Sequence, residues 1–303
     1  MKFLNICIPC FNHDISKLVE DIYNQCSNEN IEFQIIVFED GSSNENVKKN
    51  SVLTEKFKIK HIISEINIGR SAARNRLANE SKTGKIIFLD ADSSLANSDF
   101  INKYLQNFNN EIVCGGTLYH KKQNIKSQSL RYKFGINREM KTAKHRAKKP
   151  NASFATNNFM ISTNIFELIQ FREFLKDYGH EDSLFGYELK KNKLIISHID
   201  NPVVHEGLES NEIFLNKTNL ALKNLILIEA SGFKDKDFIY DIKLAKIAKN
   251  LKTFKLIFII RFFNSIFKNK IKNHLLNSGN PNLFIFDFYK LAYYCELKRK
   301  NYV

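Results

Sequence analysis

Two carboxylates stand two residues apart at the end of an apolar run. In KIIFLDADSS, residues 85–94, the segment Lys85–Leu89 is typical of a buried strand, after which Asp90 and Asp92 would point to the same side of the chain. Carboxylates held this close raise each other's pKa, which costs free energy unless positive charge lies between them. The spacing therefore predicts a cation, or a set of hydrogen-bond donors, at this point.

Other polar residues that could take part in chemistry also follow apolar runs. Asp40, in VFEDGSS, could bind a ligand or form an ordinary turn with the backbone. Arg70 and Arg74, in NIGRSAARN, would share one face of a helix. Their planar, permanently charged guanidinium groups suit phosphate, although surface arginines that pair with nearby acids would give the same pattern.

Two acids and a histidine complete this set. Glu181 and Asp182 open the helix-like segment GHEDSLFGYELKK, where a carboxylate could act as a general base or simply complement the helix dipole. His205, in NPVVHEG, follows a short apolar run. Its imidazole nitrogen would suit Mn²⁺ better than Mg²⁺, but a lone histidine is more often structural than a ligand.

Cys7 and Cys10 form a C-x-x-C pattern, which can indicate a redox pair or half of a zinc site. If residues 3–9 form a strand, however, an offset of three places the two side chains on opposite faces. Their Cα atoms would then lie about 10 Å apart, beyond the ~7 Å limit for a disulfide. The sequence has no second C-x-x-C to complete a zinc site. We therefore expect two small strand residues.

The charge of the chain is unevenly distributed. The 303 residues are 43% hydrophobic and carry a net charge of +14. Residues 118–155 hold 11 Lys or Arg against one acid, and residues 217–303 hold 17 against six, so the remainder is acidic. Two basic segments indicate a polyanionic partner, for which nucleic acid, anionic lipid head groups and diphosphates all qualify. The first apolar stretch fits a strand better than a signal peptide, so we expect a cytoplasmic protein.

The elements that must position these residues alternate along the chain. Strand-like and helix-like runs follow one another in the order strand 3–9, helix 14–26, strand 33–39, helix 44–56, strand 59–63, helix 70–81 and strand 85–90. This order predicts a parallel sheet with helices on its faces. Ligands of such sheets lie beyond the carboxyl ends of the strands, where Pro9, Asp40 and Asp90 all fall.

The rest of the chain is less regular. We expect further strands near 111–118, 157–162 and 193–200, a loop with a short helix in the basic segment 118–155, and helices from about residue 212.

Six motifs resemble those of the family 2 glycosyltransferases, enzymes of the GT-A fold that transfer a sugar from a nucleotide diphosphate with inversion. In chain order they are IPCFN, VFEDGSSN, NIGRSAARN, FLDADSS, GHEDSLFGYEL and VVHEG. The resemblance covers residues 3–210. It implies an α/β GT-A domain over residues 1–211, with a Rossmann-like, mostly parallel sheet and flanking helices. Residues 212–303 would form a helical, basic C-terminal region.

The resemblance also implies roles for single residues. Asp92 would bind Mn²⁺ or Mg²⁺ directly and His205 would be a second ligand, while Asp90 would reach the ribose or the metal shell. Asp40 would hydrogen-bond uracil, although Glu39 stands where the family usually has another aspartate.

The remaining motif residues divide between donor and acceptor. Pro9, Arg70 and Arg74 would lie on the donor side. Asp182 would be the catalytic base, with Glu181 binding the acceptor or replacing Asp182 as the base. The resemblance thus implies a metal-dependent transferase that moves a hexose or N-acetylhexosamine from a UDP-sugar to a glycan or lipid-linked acceptor, in bacterial surface polysaccharide synthesis.

The segment TFKLIFIIRFFNSIFKNKIKNHL, residues 253–275, mixes a dense apolar run with cations. The run is too short, and is broken by Arg261, for a membrane span. It fits an interfacial helix on anionic lipid, or equally a core helix that covers the catalytic domain. The lipid interpretation would place the protein peripherally on the inner face of the plasma membrane and favour a lipid-linked acceptor.

Two other classes of protein remain open. A membrane- or nucleic-acid-binding protein on a catalytically inactive GT-A scaffold would explain the charge, but no RNA or DNA motif with interleaved aromatic residues is evident, so we expect no nucleic acid. A nucleotidylyltransferase would need a Gly-rich phosphate loop soon after the first strand, and IPCFNHD has none.

Overall fold

The computed structural model describes residues 2–120, 125–231 and 236–299, and these residues divide into two packed units. The first unit comprises the residues up to His120, Glu139–Lys176 and Glu181–Gly207. The second comprises residues 125–138, Asp177–His180 and the described residues from Leu208 onward.

Every strand among the described residues lies in the first unit. In chain order they are β1 (Phe3–Cys10), β2 (Glu32–Asp40), β3 (Lys60–Ser64), β4 (Lys85–Leu89), β5 (Ser93–Leu95), β6 (Ile112–Cys114), β7 (Thr117–Leu118), β8 (Asn158–Ser162), β9 (Ile196–His198) and β10 (Val203–His205). The α-helices are α1 (Ser16–Ser27), α2 (Asn44–Phe57), α3 (Arg70–Asn79), α4 (Phe100–Gln106), α5 (Ser129–Phe134), α6 (Ala143–Arg146), α7 (Thr163–Leu168), α8 (Glu181–Lys191), α9 (Asn211–Ala230), α10 (Lys236–Asp241), α11 (Lys243–Thr253), α12 (Ile257–Asn277) and α13 (Leu283–Arg299).

Seven strands form the main sheet, in the order β3-β2-β1-β4-β8-β6-β9. Strand β1 is parallel to β2 and β4, and β2 is parallel to β3, whereas β8 runs antiparallel to both of its neighbours. Parallel strands buried on both faces need nearly continuous apolar sequences, as FLNICIPC and KIIFL provide. The predicted α/β fold with a mostly parallel sheet and flanking helices is therefore confirmed.

Helices cover both faces of this sheet. Helices α1, α2 and α4 supply apolar residues to the core on one face, and α3, α7 and α8 supply those on the other. Cys10 lies in the first of these cores and Cys7 in the second, and both thiols are free. The interpretation of the C-x-x-C pattern as two strand residues on opposite faces is confirmed.

A second, small sheet has the order β5-β10-β7. The prediction of one continuous strand near 111–118 is wrong. The segment forms two short strands, because the chain leaves the main sheet after β6 and enters the small sheet at β7. Between them Gly115 and Gly116 leave no room for a Cβ atom, and Gly116 has a φ of +100°. The Arg146 guanidinium lies against Gly116 and donates to the carbonyl oxygen of Gly115.

The sequence predicts a loop with one short helix over residues 118–155, but the described part of this segment contains several helical elements. It forms α5, a π turn at Gly135–Glu139 and α6, together with 3-10 turns at Lys126–Gln128 and Asn151–Ser153. Residues 121–124 of this segment lie outside the described residues.

The second unit is helical. Helices α5, α9, α12 and α13 enclose a core of Leu130, Phe214, Leu215, Leu275 and Phe286. Asn211, at the start of α9, binds the neighbouring segments with its side chain, donating to the carbonyl oxygens of Lys126 and Leu276. None of the helices within the described residues is long and apolar enough to cross a bilayer.

The burial of the cysteines predicts that their thiols are unreactive in the folded protein. All five cysteines are buried and free, and burial raises the pKa of Cys7 to about 12, so thiolate is scarce at neutral pH. We expect no thiol to react with Ellman's reagent in the native protein and all five to react after unfolding without reductant. A Cys7–Cys10 disulfide would leave two fewer reactive thiols after unfolding, which would contradict the structure.

Candidate active site

The carboxyl ends of three adjacent strands bring several of the predicted residues to one edge of the main sheet. Strand β1 lies between β2 and β4. Pro9 lies near the end of β1, Asp40 ends β2, and Asp90 directly follows β4. Because parallel strands place their carboxyl ends together, this edge is where an open α/β sheet binds its ligand.

Asp40 is held by backbone groups of the following loop. Its Oδ1 accepts a hydrogen bond from the Ile68 N–H at 2.6 Å, and its Oδ2 accepts one from the Gly69 N–H at 3.1 Å. Burial raises the pKa of Asp40, and these two hydrogen bonds oppose the increase. Asp40 therefore fixes the loop that leads into α3, and its predicted contact with uracil stays a prediction.

Gly41 and Gly69 give this loop its shape. Both have positive φ, +74° and +88°. A Cβ atom on Gly41 would collide with the backbone of Ile66 and Asn67, and one on Gly69 would press against the carbonyl oxygen of Lys176. Only glycine suits both positions.

Glu39 is a buried carboxylate whose environment could not be read from the sequence. Its Oε1 accepts from the Asn50 Nδ2 at 2.7 Å and lies 3.4 Å from the His61 Nε2. Burial raises the pKa of Glu39, but the hydrogen bonds from His61, Ser42, Asn50 and Cys10 outweigh burial and lower it. Asn50 also binds the backbone of His13 and Ile15, so Glu39 positions the segment that follows β1.

Arg74 supplies positive charge beside Asp90. Its Nη2 donates to the Asp90 Oδ1 at 2.6 Å, and its side chain is only 2% exposed. Its Nε and Nη1 have no hydrogen-bond partner among the described residues. The guanidinium carbon lies 5.6 Å from the centre of the Phe171 ring. Part of the positive charge expected beside Asp90 and Asp92 is thus supplied by an arginine.

Asp182 and Glu181 lie at the start of α8, and the charge of Arg74 acts on Asp182. Burial, and then the Glu181 charge, raise the pKa of Asp182 to about 6, while hydrogen bonds from Ser183 and the Arg74 charge oppose this increase. Glu181 forms an ion pair with Arg70, with Nη1 and Oε1 3.2 Å apart. The two arginines therefore contact different acids.

Packing of aromatic rings fixes the position of α8. Phe185 stacks on Phe171 with the ring centres 4.3 Å apart, and it also contacts Phe154 and Phe166. Because Phe171 also lies against Arg74, one aromatic cluster supports both the arginine and the helix that carries Asp182.

Asp92 and His205 meet through the small sheet. The antiparallel pairing of β10 with β5 places His205 opposite Ser93, next to Asp92. The His205 Nε2 lies 3.5 Å from the Asp92 Oδ2, and the imidazole ring stacks on Tyr119. A Cβ atom on Gly207 would fall 2.7 Å from the same carboxylate oxygen. Position 207 must therefore stay a glycine for Asp92 to keep this place.

Glu206 and His120 are nearby polar residues that the sequence analysis missed. The Glu206 carboxylate accepts from the Ser94 hydroxyl and lies 2.9 Å from the His120 Nε2. Glu206 could have been predicted from the sequence, because it directly follows His205 in the VVHEG motif. His120 was not, since only the folded chain brings it close.

Two of the predicted residues, Asp92 and His205, could together supply two ligands to a divalent cation. Within residues 2–120, 125–231 and 236–299, no three His, Cys, Asp or Glu side chains form a cluster that could hold a metal ion. The Asp92–His205 pair offers one carboxylate oxygen and one imidazole nitrogen. Cations that bind nucleotide phosphates often take only one or two protein ligands, with the others from phosphate and water. The pair fits such a shared site, whereas Asp90 is bound to Arg74.

Comparisons with known proteins agree with this architecture. A scan against protein families matched residues 5–169 to the family described as Glycosyl transferase family 2. A search of curated proteins found no significant match.

Two solved structures share the GT-A fold. The mannosyltransferase PcManGT from Pyrobaculum calidifontis, solved with GDP-Man and Mn²⁺, is 11% identical, with a TM-score of 0.59 over 98% of this chain and 86% of its own. S. aureus TarS is 18% identical, with a TM-score of 0.50 over 75% of this chain. The match spans only 40% of the TarS chain.

The contacts of Asp40 predict a structural effect that needs no ligand. In Asp40→Asn, one of the two backbone N–H groups of Ile68 and Gly69 loses its acceptor. We expect the free energy of unfolding to fall by about 1–3 kcal/mol, measured by urea denaturation. Asp14→Asn is the matched control, because Asp14 is exposed and its carboxylate accepts only local hydrogen bonds, from the backbone N–H and side chain of Ser16. Equal effects of the two substitutions would contradict the structural role of Asp40.

Proposed function

The chain belongs to glycosyl transferase family 2, and on that premise we propose that it transfers a hexose or N-acetylhexosamine from a UDP-sugar, with inversion, to a hydroxyl group of a glycan or lipid-linked oligosaccharide. We place this reaction in bacterial surface polysaccharide synthesis. The observation that carries the proposal is the arrangement of Asp182, Arg74 and Asp90, in which one buried cation influences two acids from different elements.

Asp182 is proposed as the general base. Its carboxylate takes the proton of the acceptor hydroxyl while the acceptor oxygen attacks the anomeric carbon and the bond from that carbon to the diphosphate breaks. A pKa of about 6 supports this role, because the carboxylate is ionised at neutral pH and is more basic than an ordinary aspartate. Glu181 contributes to this basicity through its charge and holds Arg70 in place.

Arg74 is proposed to stabilise the negative charge of the donor. Two of its nitrogen atoms are buried with no partner among the described residues, a state that costs free energy. A diphosphate oxygen that reached them would relieve this cost. Arg70 is more exposed and lies on the same helix.

Asp92 and His205 are proposed to hold Mn²⁺ or Mg²⁺, with Asp90 near the metal or the ribose. When bound, the cation would neutralise the charge of the departing nucleoside diphosphate. The Mn²⁺ in the PcManGT complex supports this assignment. That complex holds GDP-Man, so the choice of uridine rests on Asp40 alone.

The donor proposal predicts a ligand-dependent change in stability. We expect UDP with Mn²⁺ to raise the melting temperature of the protein, and EDTA to abolish this increase, since a ligand that binds only the folded state stabilises it. Asp92→Ala and His205→Ala should both remove the dependence on metal. The control is Asp99→Ala, because Asp99 is exposed and forms a local ion pair with Lys103, four residues along the chain.

Repeating the melting measurement with a panel of nucleotides tests which base the protein binds. A larger shift with GDP than with UDP would overturn the uridine assignment and keep the enzyme class. No shift with any nucleotide would favour an inactive scaffold.

The proposed base predicts a pH dependence. Because Asp182 must be ionised to accept a proton, kcat/KM should fall as the pH decreases through about 6, approaching a tenfold loss per pH unit below it. Asp182→Asn should lower kcat by about 10²–10⁴-fold at every pH and abolish this acid limb. Glu181→Gln should move the limb to lower pH, because removing the neighbouring charge lowers the pKa of Asp182. A limb that persists in Asp182→Asn would exclude Asp182 as the base.

A further inference from the structure

The first half of α12 and the turn before it expose an unusual amount of apolar surface. Seven large apolar side chains between residues 254 and 267 are 38–71% exposed. They are Phe254, Leu256, Phe258, Phe262, Phe263, Ile266 and Phe267. Along the whole of α12, only Leu275 is buried. A large exposed apolar patch of this kind marks an interaction site on most proteins.

The same region is strongly cationic. Residues 243–277, which span α11 and α12, contain nine Lys or Arg and no Asp or Glu. Among these cations Lys268 lies 3.7 Å from Glu296 of α13, with side chains that are 56% and 26% exposed. The patch thus combines aromatic and aliphatic side chains with an uninterrupted series of positive charges.

An apolar groove continues the patch between α12 and α13. It has a volume of about 380 Å³ and is lined by Phe263, Phe267, Ile271, Ile285 and Phe288, with Lys270 and His274 also contributing. Grooves of this size accommodate small ligands. Its lining suits a hydrocarbon chain, and Lys270 could bind an anionic head group.

The charge of the patch argues against a second copy of the chain as the partner. In a two-fold symmetric dimer the same surface would meet itself, which would bring nine cations against nine. Double-stranded nucleic acid would satisfy the charge but would leave most of the exposed phenylalanines in water, because its bases are stacked inside the helix. An anionic bilayer surface satisfies both properties, because phospholipid head groups attract Lys and Arg while Phe and Leu enter the acyl boundary.

We propose that α11 and α12 dock the protein on an anionic phospholipid bilayer, with Phe258, Phe262 and their exposed neighbours inserted at the interface. The groove beside α12 takes a lipid hydrocarbon chain. This inference goes beyond the proposed sugar transfer and stands without it, since no residue of the patch belongs to the candidate active site.

Flotation of the full chain with phospholipid vesicles tests the proposal. We expect the protein to float with vesicles of phosphatidylcholine plus phosphatidylglycerol, to stay unbound with phosphatidylcholine alone, and to dissociate as salt is raised. The double substitution Phe258→Ser with Phe262→Ser should weaken binding by about tenfold or more. Lys270→Gln with Lys272→Gln should weaken it by a similar factor and reduce its salt dependence.

Leu168→Ser with Ile195→Ser is the matched control, because these side chains are 79% and 81% exposed but lie away from the patch in sequence and in a different unit. Binding should be unchanged in this variant. The melting temperature of each variant should match that of the wild-type protein, which shows that a loss of binding is not caused by misfolding.

Several outcomes would overturn the proposal. These are equal binding to neutral and anionic vesicles, no flotation at all, or loss of binding in the control variant as large as in the phenylalanine variant. A dimer in light scattering that dissociates in Phe258→Ser with Phe262→Ser would assign the patch to a second copy instead. The nucleotide-dependent melting shift, measured on the same protein, reports separately on the sugar-donor site, so failure of either proposal is distinguishable.

Discussion

The buried guanidinium of Arg74 is the group on which the arrangement of charged residues depends. A cation that is 2% exposed needs compensating negative charge. Asp90 meets this need directly, and Asp182 interacts with the same charge from the start of α8. Three elements, α3, the end of β4 and the start of α8, must therefore keep their relative positions. The stacked rings of Phe171 and Phe185 hold them there.

The position of Arg74 between elements that are distant in sequence separates the features that the sequence predicts from those that it does not. Alternating apolar runs predicted the strands β1 to β4, and parallel pairing was enough to place Asp40 and Asp90 at one edge. Helical spacing placed Arg70 and Arg74 on one face, but it could not say which acid each would contact. Arg70 pairs with Glu181 and Arg74 with Asp90, because partner choice depends on how α3 packs on the sheet.

Other features depended on contacts that no local pattern encodes. The break between β6 and β7 follows from close approach of Arg146 to Gly116, and Arg146 is 30 residues further along the chain. Asp40 was identified as a candidate ligand residue, yet its hydrogen bonds to Ile68 and Gly69 give it a structural role as well. The neighbouring Glu39 is likewise engaged inside the protein, which fits its departure from the usual aspartate.

The pairing of β5 with β10 has a consequence for synthesis of the chain on the ribosome. Asp92 and His205 are 113 residues apart in sequence, and a three-residue ladder joins β10, which ends at His205, to β5, which follows Asp92. Strands β1 to β4 can already pair in a nascent chain that extends only to Leu89. The Asp92–His205 pair cannot exist until translation has passed residue 205, and closing so long a loop is slow relative to local contacts. Strands β1 to β4 therefore emerge first, and the Asp92–His205 pair is completed only after most of the first unit has been made.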